Sequence, residues 1–222
     1  MFRDAALIAA KDLRVEARSR VVLNQVVPFA LLVLLLFAFA LDPDRGVLHR
    51  ATPGLYWMTV LFTGLLAVQR AFAVEASDGV IDSLRLSGLD PGGIYLGKTA
   101  AVALQLVALE VLLAVGVAVL YGTRLNGWWL LVVTSLVATA GIAAAGTLYG
   151  VLAVGVRVRE TLLPLLLLPV LAPVLIASTR AFEAALGDTP AEGWRWVGLL
   201  AVFSLVYLAA GIFGFGSLME ES

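Results

Sequence analysis

Apolar residues fall in long runs separated by short polar breaks. Six runs have about the length that a bilayer-crossing helix needs, roughly 20 residues: 21–41, 52–68, 99–121, 128–156, 161–178 and 196–218. None carries more than one charged side chain. Ahead of them, residues 1–20 repeat at helical period, with Phe2, Ala6, Ala9 and Leu13 on one arc and Arg3, Lys11, Arg14 and Arg18 on an adjacent one. Such a helix suits the membrane interface, apolar side toward the acyl chains and basic groups at the headgroups. The pattern predicts an all-α membrane protein: an amphipathic N-terminal elbow helix over 1–20, then a single six-span domain over 21–222.

The longest connection joins the second and third runs, over about 70–97. Asp78 can cap a short helix in it, Ile81 and Leu84 then share a face, and Asp90-Pro91-Gly92-Gly93 reads as the break that ends the unit. A helix of this kind across the mouth of the bundle suits docking into a partner's groove, or serves as a solvated linker.

Lys and Arg orient the spans. Ten fall on the side holding residues 1–20, the connection with Arg70, Arg85 and Lys98, and Arg157 and Arg159, and five on the other. The excess marks the cytoplasmic side and puts both termini there. Tyr56, Trp57, Trp128, Trp129, Trp194 and Trp196 are then expected in an aromatic belt near the outer face. Ala38-Phe39-Ala40 fits a signal-peptidase pattern, but the apolar run before it is long for a signal peptide and is taken as an uncleaved first span.

Composition narrows the function. Of 222 residues, 61% are hydrophobic and 14% charged, and mean hydropathy is +0.99. A soluble domain could not bury so much apolar surface. There is no cysteine and a single histidine, His49, so thiolate chemistry and multi-histidine metal centres within the chain are excluded. The net charge of −1 gives no nucleic-acid footprint. His49 and Met58, both expected near the outer face, could ligate a haem iron in principle, or be ordinary loop and span residues.

Within the spans the polar positions are few. Glu110 lies near the middle of the third run, with Gln105 about a turn away as a second member of an intramembrane polar site. A charge at that depth costs at least about 2.5–3.5 kcal/mol. Glu110 therefore faces the bundle as a gate, substrate contact or proton site, or forms an interhelical hydrogen bond. Gly146 and Gly150 in the fourth run form a small-residue pair that lets helices approach closely. Pro164, Pro169 and Pro173 in the fifth predict a kink or an irregular stretch.

The run Phe72-Ala-Val-Glu75-Ala-Ser-Asp78-Gly79-Val-Ile81-Asp-Ser-Leu84, the following Ile94-Tyr95-Leu96-Gly97-Lys98, and Val107-Ala-Leu-Glu110 resemble ABC-2-type permeases. More narrowly, they resemble the cytochrome c maturation protein B family, the haem exporter permease subunit. Ala145-Gly146-Thr147-Leu148, Arg157-Val-Arg159-Glu160-Thr-Leu-Leu-Pro164 and Pro169 to Ile176 extend the resemblance through the fourth and fifth spans; Ser87-Gly88 departs from the Ser-Pro expected there. The resemblance implies a non-catalytic permease subunit in a bacterial inner membrane. The chain has no Walker A sequence, so ATP and Mg would sit on a separate cytoplasmic ABC ATPase. That partner would grip a cytoplasmic coupling helix through Glu75, Gly79, Ile81 and Leu84, with Arg157, Arg159 and Glu160 in a second cytoplasmic loop. A second permease copy, a tryptophan-rich haem-handling membrane subunit, a small one-span subunit, a haem chaperone and membrane lipid complete the expected partners. Haem would be cargo, and the chain would hold no cofactor itself. Alternatives are an ABC-2-type permease for another lipophilic substrate, a secondary transporter or channel, or an assembly scaffold.

Overall fold

The computed structural model describes residues 1–19, 22–41, 45–76, 88–122, 127–154, 159–187 and 189–221. Seven α-helices fill these segments: α1 (Phe2–Ser19), α2 (Val27–Leu41), α3 (Arg45–Ala76), α4 (Pro91–Leu120), α5 (Trp128–Val154), α6 (Arg159–Leu186) and α7 (Pro190–Glu221). Among the described residues there is no strand. Six helices are long and apolar enough to span a membrane.

The helices outrun the apolar runs that announced them, because the backbone ladder continues past the hydrophobic window. The second span grows from 52–68 to a helix that reaches Ala76, so Gln69 and Arg70 belong to α3 and not to a loop. Asp90-Pro91-Gly92-Gly93 does not close the connecting unit; it opens α4. The Asp90 carboxylate accepts the Gly93 N–H at 2.8 Å, and Pro91 occupies the first turn, where its missing N–H costs nothing. The 70–97 connection is therefore shortened from both ends, and Lys98 lies inside a helix. α6 runs unbroken through Pro164, Pro169 and Pro173, so the expected irregular stretch is not seen. The break falls instead before Pro28, where Val22–Val26 winds as a π-helical turn into α2. Ala38, Phe39 and Ala40 lie in the last turns of α2.

α5 runs through the centre of the bundle. Its small residues Ala138, Ala143, Ala144 and Ala145 are fully buried. A Cβ on Gly146 would come within 2.6 Å of Val68, and one on Gly150 within 2.3 Å of Phe72. The small-residue pair thus seats α3 inside the same chain. On another side, Ser204 of α7 donates to the Val137 carbonyl at 2.8 Å, and its hydroxyl occupies the space that a Cβ on Gly141 would need.

α4 ties the other helices together through polar groups spaced along its length. Near its start, the Tyr95 hydroxyl lies 3.1 Å from the Ala144 carbonyl of α5 and 3.0 Å from the Tyr207 carbonyl of α7. Just past its end, Tyr121 donates to the Leu34 carbonyl of α2 at 3.1 Å. Water is scarce inside a bilayer, so such bonds fix helix pairs, each contributing about 0.6–2 kcal/mol.

α1 does not lie free. Gly93 and Gly97 leave a smooth strip on α4, and α1 packs into it so closely that Cβ atoms there would meet the Met1 carbonyl at 2.7 Å and the Ala5 carbonyl at 2.6 Å. Ile8 is buried, and Asp12 reaches Lys98 at 3.4 Å. The docked face is thus a third arc, distinct from the two seen in the sequence. Phe2, Arg3, Arg14 and Arg18 remain exposed on the others, as an interfacial helix requires. α1, the end of α3, the start of α4 and the end of α7, where Phe215 packs on Tyr95, all gather at one end of the bundle. Arg3, Lys11, Arg14, Arg18, Arg70 and Lys98 are collected at that end.

Candidate functional site

Glu110 lies near the middle of the 99–121 apolar run and two-thirds of the way along α4. Its side chain is 4% exposed. The Thr139 hydroxyl of α5 donates to its carboxyl, and Ser135, one turn earlier, faces the same group. The Glu110 carbonyl accepts from the Tyr56 hydroxyl of α3 at 3.2 Å. One residue therefore joins three helices inside the bundle.

Beside it is a cavity of about 220 Å³ between α3, α4, α5 and α6. Glu110, Tyr56, Thr52 and Ser135 supply its polar groups, and Val107, Ala114, Leu131 and Val132 its apolar walls. Tyr56 and Phe182 stack at 5.0 Å, and Trp57 meets Phe182 edge-on at 5.1 Å, forming an aromatic back wall. Val111, Val132, Leu136 and Trp128 are exposed at the rim, so the cavity opens sideways, where acyl chains would lie. A carboxyl held by two hydroxyls in an apolar pocket can hydrogen-bond a ligand or exchange a proton with it. Among the described residues no three His, Asp or Glu side chains cluster as a metal site.

Gln105 does not share this site. Five residues at 100° each set it about 140° around α4 from Glu110. It lines a different cavity, under α1. Tyr56 and Trp57 are buried and not in a belt, whereas Trp128 and Trp129 are exposed in a T-shaped pair at 5.4 Å and Trp194 is exposed nearby in sequence to α7's start. His49 is exposed in α3's first turns and Met58 is exposed on its outer side. Gly79, Ile81, Leu84 and Arg157 lie outside the described residues, as do the side chains of Glu75, Arg159 and Glu160.

Lys98 is the residue that sequence reasoning missed as a site member. It is 2% exposed, paired with Asp12 and placed 5.1 Å from the Phe72 ring centre. The (i, i+4) strip of Gly93, Gly97 and Ala101 beside it was the available signal. At the same end, the terminal ammonium 3.1 Å from Asp4 holds that carboxyl below the ordinary carboxylate range.

These features define a six-span α-helical membrane protein with an amphipathic helix docked at one end and a buried carboxyl, Glu110, that joins three of its helices. The chain belongs to the CcmB protein family, whose model matches residues 3–222. It is similar to Heme exporter protein B of Haemophilus influenzae, 32% identical over 186 residues and 84% of both chains. It is also similar to those of Pseudomonas aeruginosa, 28% identical over 93% of this chain and 95% of the other, and Paracoccus denitrificans, 30% identical over 91% and 92%.

Proposed function

We propose that the chain is the non-catalytic permease subunit of an ATP-driven complex that exports or hands over haem for c-type cytochrome biogenesis. The observation that carries this reading is the family match over residues 3–222, with relatives named Heme exporter protein B covered over most of their length. The six apolar helices agree with it, and the absence of a Walker A sequence assigns ATP and Mg to a separate cytoplasmic ATPase. Both termini and the segment between α3 and α4 face the cytoplasm of a bacterial inner membrane in this reading. The basic residues gathered at that end of the bundle support it. Glu75, Gly79, Ile81 and Leu84 form the handle that the ATPase grips, and Arg157, Arg159 and Glu160 belong to the neighbouring loop. ATP closure of the partner dimer biases the bundle between two packings through that handle. A second permease copy, a tryptophan-rich haem-handling subunit, a one-span subunit and a haem chaperone complete the assembly.

Two outcomes of ATP turnover fit this frame, transport of haem through the bundle and release of a haem-loaded chaperone. The size of the cavity favours release. At about 220 Å³ it is below the ~300–1,000 Å³ of small-molecule sites, and haem is a large planar ligand.

The test is complementation of a strain lacking this gene, scored by haem-stained c-type cytochromes, together with co-purification of the ATPase. Wild type should restore cytochromes and alter the ATPase's turnover. Leu84→Asp should insert normally, yet fail on both counts. Normal cytochrome maturation by Leu84→Asp would remove the handle from the mechanism. Failure of wild type to pull down any ATPase would overturn the reading as a whole.

A further inference from the structure

The polar groups of the cavity beside Glu110 are Thr52, Tyr56, Glu110 and Ser135, with the Trp128 N–H at its exposed rim. Their hydroxyl protons are already committed to the helix walls. Tyr56 donates to the Glu110 carbonyl at 3.2 Å, and Thr52 donates to the Leu48 carbonyl at 2.8 Å. Ser135 faces the Glu110 carboxyl, which also accepts from Thr139. The hydroxyls therefore have lone pairs, not protons, left to offer a ligand. A carboxyl has about four lone-pair sites, so Glu110 also keeps accepting capacity. No cationic side chain lines the cavity, and among the described residues Glu110 enters no ion pair. A buried acid needs a cation or a proton to balance it, and here the protein supplies no cation.

We infer that this cavity binds a single-chain lipophilic amine that enters from the surrounding lipid. Its ammonium N–H groups donate to the Glu110 carboxyl and to the hydroxyl oxygens around it. The ion pair carries no net charge, whether the proton arrives on the nitrogen or is taken from the carboxyl. Tyr56 and Phe182 add aromatic rings, surfaces that attract a cation. The hydrocarbon tail leaves past Val111 and Leu136, which are exposed on the open side. At about 220 Å³ the space is below that of whole small-molecule sites and suits a headgroup with its first carbons. Other headgroups fail against the same lining. A carboxylate sets a like charge beside Glu110. A quaternary ammonium has the charge but no N–H to give. Phosphatidylethanolamine has the ammonium, but its phosphate meets no cation here.

The test measures saturable binding of tritiated dodecylamine to the full chain in phosphatidylcholine nanodiscs, with empty discs subtracted. One amine should bind per chain. Unlabelled dodecylamine should compete about tenfold better than dodecanol, dodecanoate or dodecyltrimethylammonium, a difference of about 1.4 kcal/mol. Glu110→Gln, which keeps the side chain's shape and takes away its acid, should weaken binding about tenfold. Ala114→Leu, one turn along α4 in the same lining, leaves the acid in place and fills the space, and should expel the amine. Glu192→Gln, exposed at the start of α7, should change nothing. Equal competition by dodecanoate or dodecyltrimethylammonium would overturn the assignment. So would undiminished binding by either cavity variant with its helix content intact. Loss of amine binding in discs of phosphatidylethanolamine would give the site to that headgroup and overturn it equally. None of these outcomes depends on haem or on an ATPase.

Discussion

Glu110 and Thr139 allow a quantitative test of what joins α4 to α5 inside the bundle. Both side chains are buried, at 4% and 1% exposure, and the threonine hydroxyl donates to the carboxyl. Replacing Glu110 by Leu removes the acceptor and fills the space with carbon. Interhelical hydrogen bonds of this kind contribute about 0.6–1.7 kcal/mol where they have been measured, because the unfolded helices in lipid also find partners. Thr139 can fall back on a carbonyl of its own helix, which recovers part of the loss. A double-mutant cycle of Glu110→Leu and Thr139→Val should therefore give a coupling of about 1 kcal/mol. The measurement is reversible unfolding in mixed micelles, following helix loss against denaturing detergent. Glu110→Gln, which keeps an acceptor in the same place, should lose less stability than Glu110→Leu in the same assay. In cells, that variant should lower cytochrome maturation although its fold is intact. A coupling near zero would refute the interhelical role. Full maturation by Glu110→Gln would leave Glu110 a purely structural residue.

The packing predicts several further outcomes. Gly97→Leu should lift α1 from α4, because its Cβ alone would meet the Ala5 carbonyl at 2.6 Å and the Ile8 Cβ at 2.7 Å; amide exchange across α1 should quicken about tenfold or more while α5 stays protected. Gly150→Leu must displace Phe72, 2.3 Å from the new Cβ, and should cost about 1–3 kcal/mol, whereas Gly198→Ala meets nothing within 4 Å and should cost nothing. Asp12→Leu takes away the carboxylate that faces buried Lys98 and should cost about 2 kcal/mol; adding Lys98→Met should recover more than half, measured by the same unfolding assay.

The spans were legible because each is a continuous apolar run, and lipid leaves the backbone no alternative to a helix. Their ends were not, since Arg70 and Lys98 continue helices that hydropathy had already closed. Asp90-Pro91 reads equally well as a stop or a start; only the Gly93 N–H that Asp90 accepts decides it. Glu110 was conspicuous in the sequence as a charge among aliphatics, and its depth followed from its position. Its separation from Gln105 followed from helical geometry, while its partners Thr139 and Tyr56 depend on how three helices meet. Lys98 was hidden because one lysine near a polar segment looks solvated. Its burial is set by α1, whose Asp12 lies 86 residues earlier in the chain and is invisible to any local window.

α4 is thirty residues long and contains no proline beyond its first turn, so it behaves as a stiff rod of about 45 Å. The carboxyl of Glu110 is carried on that rod two-thirds of the way from its Asp90-capped start. A displacement of the rod's Pro91 end is thus carried to Glu110 and on to Tyr121 without passing a proline hinge. α1, seated on Gly93 and Gly97 at that same end, is carried along with it.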